Sequence, residues 1–328
     1  MQNIIEIRNV SKKFKTYETK GTGIIASMRR KYYFKKALDK VSLSVREGSI
    51  TALLGRNGSG KSTLIKILTG ILYADTGSVN VLGFNPWEER MKLAKDIGVV
   101  LGAHSQLYWN LPATDTFEFM RHIYGVEEGE FRRRLEYFTE ALNLKEVYKK
   151  PVREMSLGEQ MKCNFVASVL HRPRMVFLDE PTIGVDISSK AALKETMLAL
   201  QKEHNTTFLI TTHIVEDISV AERIFLLEKG RLVFDGSRSS LEHMFGNKRV
   251  VELSFSNGAG LHLEDYGTVV AKGKGFAKLE VEPHILKDPG FVEILSSSRV
   301  IDYKVAEPGL SAILSKFYAK LDKSRSKR

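Results

Sequence analysis

The sequence predicts an α/β fold followed by a small α+β unit, and three observations carry that reading. Short apolar runs at residues 49–54, 175–178 and 208–211 have the length and continuity of strands buried on both faces of a parallel sheet. The first of these runs into a glycine-rich loop that opens a helix, the order of an α/β unit. The composition shifts near Phe245-Gly246, and short strand-like segments follow, closed by one amphipathic helix.

Taken in order, residues 4–10 alternate as a strand. A basic stretch with interleaved aromatics follows at 12–36, then a second strand at 37–45. Residues 62–70 have helical spacing at Leu64, Ile67 and Leu68, with Gly70 as the stop. Residues 115–144 read as helical, with Phe131, Leu135, Phe138 and Leu142 on one face. Residues 223–234 read as a hairpin turning at Lys229-Gly230. Strands are expected at 250–255, 268–271 and 276–281, and a last helix with Leu310, Ile313, Leu314, Phe317 and Tyr318 on one stripe. The tail, 321–328, is basic.

The bulk numbers narrow the class. At 328 residues and 43% hydrophobic composition the chain can bury a full core, and 27% charge marks it as globular. A single cysteine, Cys163, excludes an internal disulfide and fits a reducing compartment. The first ten residues do not read as a signal peptide, and no apolar run reaches the ~18 residues of a membrane span, so the chain is not expected to form a pore. A net charge of +11 suits an anionic partner, either nucleic acid or an acidic membrane leaflet, but scattered solvated lysines would give the same total.

Gly55-Arg56-Asn57-Gly58-Ser59-Gly60-Lys61-Ser62-Thr63 fits the pattern G-x-x-x-x-G-K-[ST]. Gly55, Asn57, Gly58 and Gly60 let backbone N–H groups turn inward around phosphate oxygens, and the helix from Ser62 and Thr63 points its positive end at them. Lys61 supplies a cation for the β- and γ-phosphates of ATP, and the Ser62 hydroxyl is placed for Mg²⁺. Downstream, the apolar run 175–178 ends in Asp179 and Glu180. Asp179 there suits magnesium held through water, and Glu180 suits polarising the attacking water.

The residues between and after these motifs resemble the ABC transporter ATPases. Met155-Ser156-Leu157-Gly158-Glu159 is similar to the family signature Leu-Ser-Gly-Gly-Gln, residues 181–186 look like its D-loop with Asp186, and His213 looks like its switch histidine. The resemblance covers roughly residues 4–236, and its wording at 68–72, 156–158 and 179–184 is that of the export-type branch. It implies a mixed sheet with helices plus antiparallel β and helical subdomains, and a small C-terminal domain. The domains expected are 1–245, with a helical part at about 104–170, and 246–320. It also implies an ATPase bound to separate permease chains at the cytoplasmic face of the membrane, without nucleic acid. Two cassettes, this chain twice or with a paralogue, would pack head to tail. Each ATP would lie between Lys61 and Ser62 of one and Ser156, Gly158 and Glu159 of the other, with His213 at the γ-phosphate. ABC proteins of translation and repair are the competing class; they usually have two nucleotide domains in one chain or a long coiled coil, and this chain has neither.

Three places depart from the family pattern. Leu157 and Glu159 replace glycine and glutamine in the signature. Ala103 stands where the family's magnesium-sensing glutamine is expected, with His104 beside it; either Gln106 takes over the contact or the contact is lost. The adenine-stacking aromatic is best matched by Phe14, then by Tyr17, with Tyr33 or Phe34 if the basic stretch folds back.

Overall fold

The described parts of the basic stretch, residues 12–18 and 31–36, belong to two long strands. β1 (Asn3–Glu18) and β2 (Lys31–Arg46) pair antiparallel, with Lys13 opposite Lys36, Phe14 opposite Lys35, Lys15 opposite Phe34 and Tyr17 opposite Tyr32. Successive side chains of the arm point to opposite faces, so Phe14 and Lys35 share one face and Lys13, Lys15, Tyr17, Tyr32, Phe34 and Lys36 the other. These details come from a computed structural model that describes residues 2–18, 31–102, 105–214, 219–243, 248–256, 262–306, 313–315 and 317–319.

The chain divides into two units, at Ser237 and Arg238, earlier than the boundary expected at 245. In the first unit, β3 is Ile50–Leu54 and β4 is Thr76–Val81. β4 lies on the free edge of β1 and completes an antiparallel sheet in the order β2-β1-β4. A six-stranded sheet is built from β3 with β5 (Ile97–Leu101), β6 (Met175–Asp179), β7 (Thr207–Thr212), β8 (Arg223–Glu228) and β9 (Arg231–Gly236). Its order is β5-β6-β7-β3-β8-β9, parallel except for the last strand. The β8–β9 turn is where the sequence puts it: Lys229 and Gly230 have φ of 49° and 80°, the left-handed pair a two-residue hairpin loop requires.

The central strands bury both faces, which explains their unbroken apolar runs. Phe177 and Leu209 face one core, with Ile5 and Val41 of the antiparallel sheet and Leu64 and Leu68 of α1 (Lys61–Leu68). Val176 and Phe208 face the other core, with the helices. Those helices are α3 (Ala113–Tyr124), α4 (Glu128–Ala141), α5 (Leu157–Val169) and α6 (Ile187–His204); a short α2 (Arg90–Asp96) leads into β5. The single helix expected over 115–144 is two. Gly125 ends the first in a left-handed conformation, φ 63°, and the Glu127 side chain starts the next by accepting the N–H groups of Gly129 and Glu130.

The second unit opens with α7 (Arg238–His243). Its sheet holds β10 (Arg249–Phe255), β11 (Thr268–Gly273), β12 (Phe276–Val281) and β13 (Val300–Ala306), antiparallel in the order β11-β12-β10-β13. Val251, Leu253 and Leu279 pack with Phe291 of α8 (Pro289–Ser296) in a core of their own. Of the expected last stripe, Ile313, Leu314 and Phe317 are buried, and Leu310 lies outside the described residues. β13 was not foreseen from the sequence.

Candidate functional site

The phosphate-type loop and the two acids meet at one cavity because β3 and β6 are close in one parallel sheet, separated only by β7. The cavity is about 670 Å³. The loop lines it with Asn57, Gly58, Gly60, Lys61, Ser62 and Thr63, and the end of β6 with Asp179 and Glu180. Gly60 is required here: its φ is 112°, and a Cβ would stand 2.5 Å from the Ala37 carbonyl oxygen. Gly55 is packed as tightly, against the Leu227 carbonyl and Ser59.

Glu180 is the centre of the charge arrangement. One carboxylate oxygen is 3.0 Å from the Lys61 ammonium, and the other is 3.3 Å from Nδ1 of His213. Lys61 is almost fully buried and also donates to the carbonyl of Gly55 at 2.8 Å. Glu180 has φ 55°, a left-handed conformation that costs a non-glycine residue about 1–3 kcal/mol. Thr211 holds it there: the Glu180 N–H donates to both the carbonyl and the hydroxyl oxygen of Thr211, each at 3.0 Å. The same hydroxyl donates to Asp179. Thr211 was not among the expected site residues, although a threonine closing a buried apolar strand is the available signal.

The signature segment explains its own departure. Ser156 caps α5, accepting from the Glu159 N–H, while the Glu159 carboxylate accepts from the Ser156 N–H at 2.7 Å. This reciprocal box takes glutamate or glutamine equally at that position. Gly158 is buried, and a Cβ there would lie 2.7 Å from a carboxylate oxygen of Asp186. Asp186 in turn caps α6, and hydrogen bonds from Ser188 and then Ser189 hold its carboxyl well below the usual range. Leu157 replaces a glycine without a clash: it is exposed, and it lines the cavity with Met161 and Ile183.

Gln106 lies elsewhere. Its side-chain amide donates to the Asn164 carbonyl at 2.9 Å, and it borders a separate hollow of about 330 Å³ with Tyr124 and His171. Ala103 and His104 lie outside the described residues. Tyr108 and Trp109 are exposed. Of the four aromatics considered for adenine, Phe14 lines the cavity; Tyr17, Tyr33 and Phe34 do not. Lys35, opposite Phe14 in the ladder, and Lys36 line it too, and neither was expected.

Comparison with known proteins gives the family and the fold. The family model "ABC transporter" matches residues 38–183. The linearmycin resistance ATP-binding protein LnrL of Bacillus subtilis (strain 168) is 31% identical over 229 residues, 69% of this chain and 73% of its own length. The daunorubicin resistance ATP-binding protein DrrA3 of Streptomyces coeruleorubidus is 30% identical over 221 residues, 67% of this chain and 70% of its own. Among solved structures, the dimeric ATP-binding cassette MJ0796 bound to ADP and Pi shares the fold, with a TM-score of 0.60 at 22% identity over 71% of this chain and 98% of that one. The family match spans the glycine loop, the signature helix and the two acids closing β6, and the chain belongs to the ABC transporter family as an ATP-binding subunit.

Proposed function

We propose that the chain hydrolyses ATP to drive an ABC exporter, with two cassettes closing head to tail around nucleotide and reopening after cleavage. The observation that carries this is Glu180, fixed between Lys61 and His213 at the wall of the phosphate-loop cavity. A carboxylate so placed suits taking a proton from an attacking water, and His213 suits holding that water in line. Lys61 and the loop N–H groups suit the β- and γ-phosphates. Phe14, at the cavity edge, offers a ring face for adenine.

The donor set fits magnesium. The Ser62 hydroxyl and the Asp179 carboxylate line the same cavity, and both are oxygen ligands of the kind a hard cation takes. Magnesium bound there would neutralise charge on the β- and γ-phosphates. Gln106, engaged with Asn164, is apart from this set, so the expected metal contact through it has no support from its placement.

In the closed pair, Ser156, Gly158 and the N-terminus of α5 would complete the site of the other copy. The export direction draws on LnrL and DrrA3, both resistance proteins by name. No helix of the described residues is long and apolar enough to cross a membrane, so separate permease chains would form the path. On one side of the β1–β2 arm, Lys13, Lys15, Tyr17, Tyr32, Phe34 and Lys36 are exposed, a mixture that suits anionic headgroups at the cytoplasmic face.

The test is Glu180→Gln. It should keep ATP affinity within about threefold, lower turnover at least ~100-fold, and give an ATP-dependent dimer on size exclusion with Mg²⁺. Hydrolysis at the wild-type rate would overturn the assignment.

A further inference from the structure

We propose that β13 pairs with β13 of a second copy of this chain, antiparallel and centred on Tyr303, so that the two C-terminal units join through one continuous sheet. β13 is the last strand of its sheet: it pairs with β10 on one edge, and among the described residues no strand pairs with the other. An open strand edge offers a row of N–H and C=O groups to another chain. Proteins usually blunt such edges with charges of one sign, proline or bulges along the strand.

β13 has one such irregularity, where its register shifts between Val300 and Asp302, and beyond it, from Asp302 to Lys304, the strand carries a self-complementary pattern. Tyr303 and Val305 sit opposite Leu253 and Val251, which belong to the core, and so they lie on the core side of the sheet. Yet Tyr303 is 49% and Val305 40% exposed, and Ile301, at the register shift between Val300 and Asp302, is 72% exposed. Asp302 and Lys304 flank Tyr303 on the opposite face, and both are exposed. A two-fold antiparallel pairing centred on Tyr303 puts Asp302 of each copy opposite Lys304 of the other, twice. It also puts Ile301 opposite Val305 and Tyr303 opposite itself, joining the apolar rows of the two copies. Cross-strand pairs of opposite charge and of apolar side chains each stabilise by roughly 0.2–1 kcal/mol, and like charges directly opposite oppose pairing. Parallel pairing in register sets Asp302 against itself and Lys304 against itself, and centring the two-fold on either charge does the same for that residue. The register on Tyr303 satisfies Asp302, Tyr303 and Lys304 together. At the sheet's other edge, Lys272 of β11 is already tied to Glu264 at 3.2 Å, and the strand stops at Gly273.

The experiment uses the full chain without nucleotide, which keeps it separate from ATP-driven closure of the cassettes. Sedimentation should show a dimer whose dissociation constant rises about tenfold or more in Lys304→Asp, where acids meet across the two-fold. The double variant D302K/K304D should restore wild-type dimerisation, because exchanging the charges keeps the pairing complementary. Tyr303→Cys should form a disulfide-linked dimer on mild oxidation, a position facing itself across the axis; the native Cys163 is buried. Ile301→Cys and Val305→Cys should each fail to cross-link alone and should cross-link when mixed. All these positions are exposed, so folding is preserved and circular dichroism checks it. A monomeric wild-type chain at tens of micromolar, an uncross-linked Tyr303→Cys, or a double variant no better than Lys304→Asp would each overturn the pairing.

Discussion

Glu159 shows how a departure from a family pattern can be neutral at the scale of one residue. Its carboxylate closes onto the backbone N–H of Ser156 and completes the cap of α5. Glu159→Ala should therefore cost about 1 kcal/mol of stability, seen as a lower urea midpoint at unchanged m, while Glu159→Gln keeps the box and stays near wild type. A loss of the same size for both would mean the cap contributes nothing. The box was hidden in the sequence only by attention to the family glutamine; serine followed three residues later by glutamate is a readable helix start. The glycine loop and Asp179-Glu180 were legible for the same reason, since their chemistry is contiguous in the chain. Gln106 was not, because Asn164, far along the sequence, decides where its amide goes. Thr211 and Lys35 were missed likewise: strand neighbours, not sequence neighbours, bring them to the site.

At the scale of elements, α4 is anchored through one carboxylate. Glu130 accepts from Arg133 and Arg134 on its own helix, Arg172 approaches it at 3.0 Å, and Arg134 also donates to the Leu170 carbonyl at the end of α5. Hydrogen bonds from Arg133 and then Arg134 bring the Glu130 pKa down from the ordinary 4.5 to about 2. A depressed folded-state pKa means that this contribution is fully present above 4.5 and is lost as the pH falls toward about 2. The thermal midpoint of Glu130→Gln should lie below that of wild type by a constant margin above about pH 5, and the margin should close as the solution is acidified. A margin that persists to about pH 2 would assign the anchor to packing instead. The sequence read α3 and α4 as one helix because both carry the same 3.6 period; only the left-handed turn at Gly125 separates them. The strand character of residues 12–18 and 31–36 has no clear period in the sequence and comes from their pairing with each other. β4 and β13 are only partly apolar, and their strand character comes from the neighbours they pair with, whereas β5, Ile-Gly-Val-Val-Leu, is a continuous apolar run of the kind that marks β3 and β6.

For the whole molecule, the two compact units meet at Ser237 and Arg238, whereas the composition shifts near Phe245-Gly246. The order of the strands was not legible, because it is set by pairing between distant segments. Each unit has a core of its own, so calorimetry should resolve two transitions, and ATP with Mg²⁺ should raise the midpoint of one by several degrees and leave the other in place, since a ligand stabilises only what it binds. Equal shifts in both would mean the units unfold as one. The β1–β2 arm has a mechanical corollary. From Lys12 to Glu18 it runs roughly 20 Å at about 3.3 Å per residue, and Phe14 and Lys35, paired partway along, are also wall residues of the phosphate-loop cavity. A hydrogen-bonded ribbon carries force along its length without stretching. A load on the outer end of this arm would therefore be felt at Phe14 and Lys35, at the wall of the cavity.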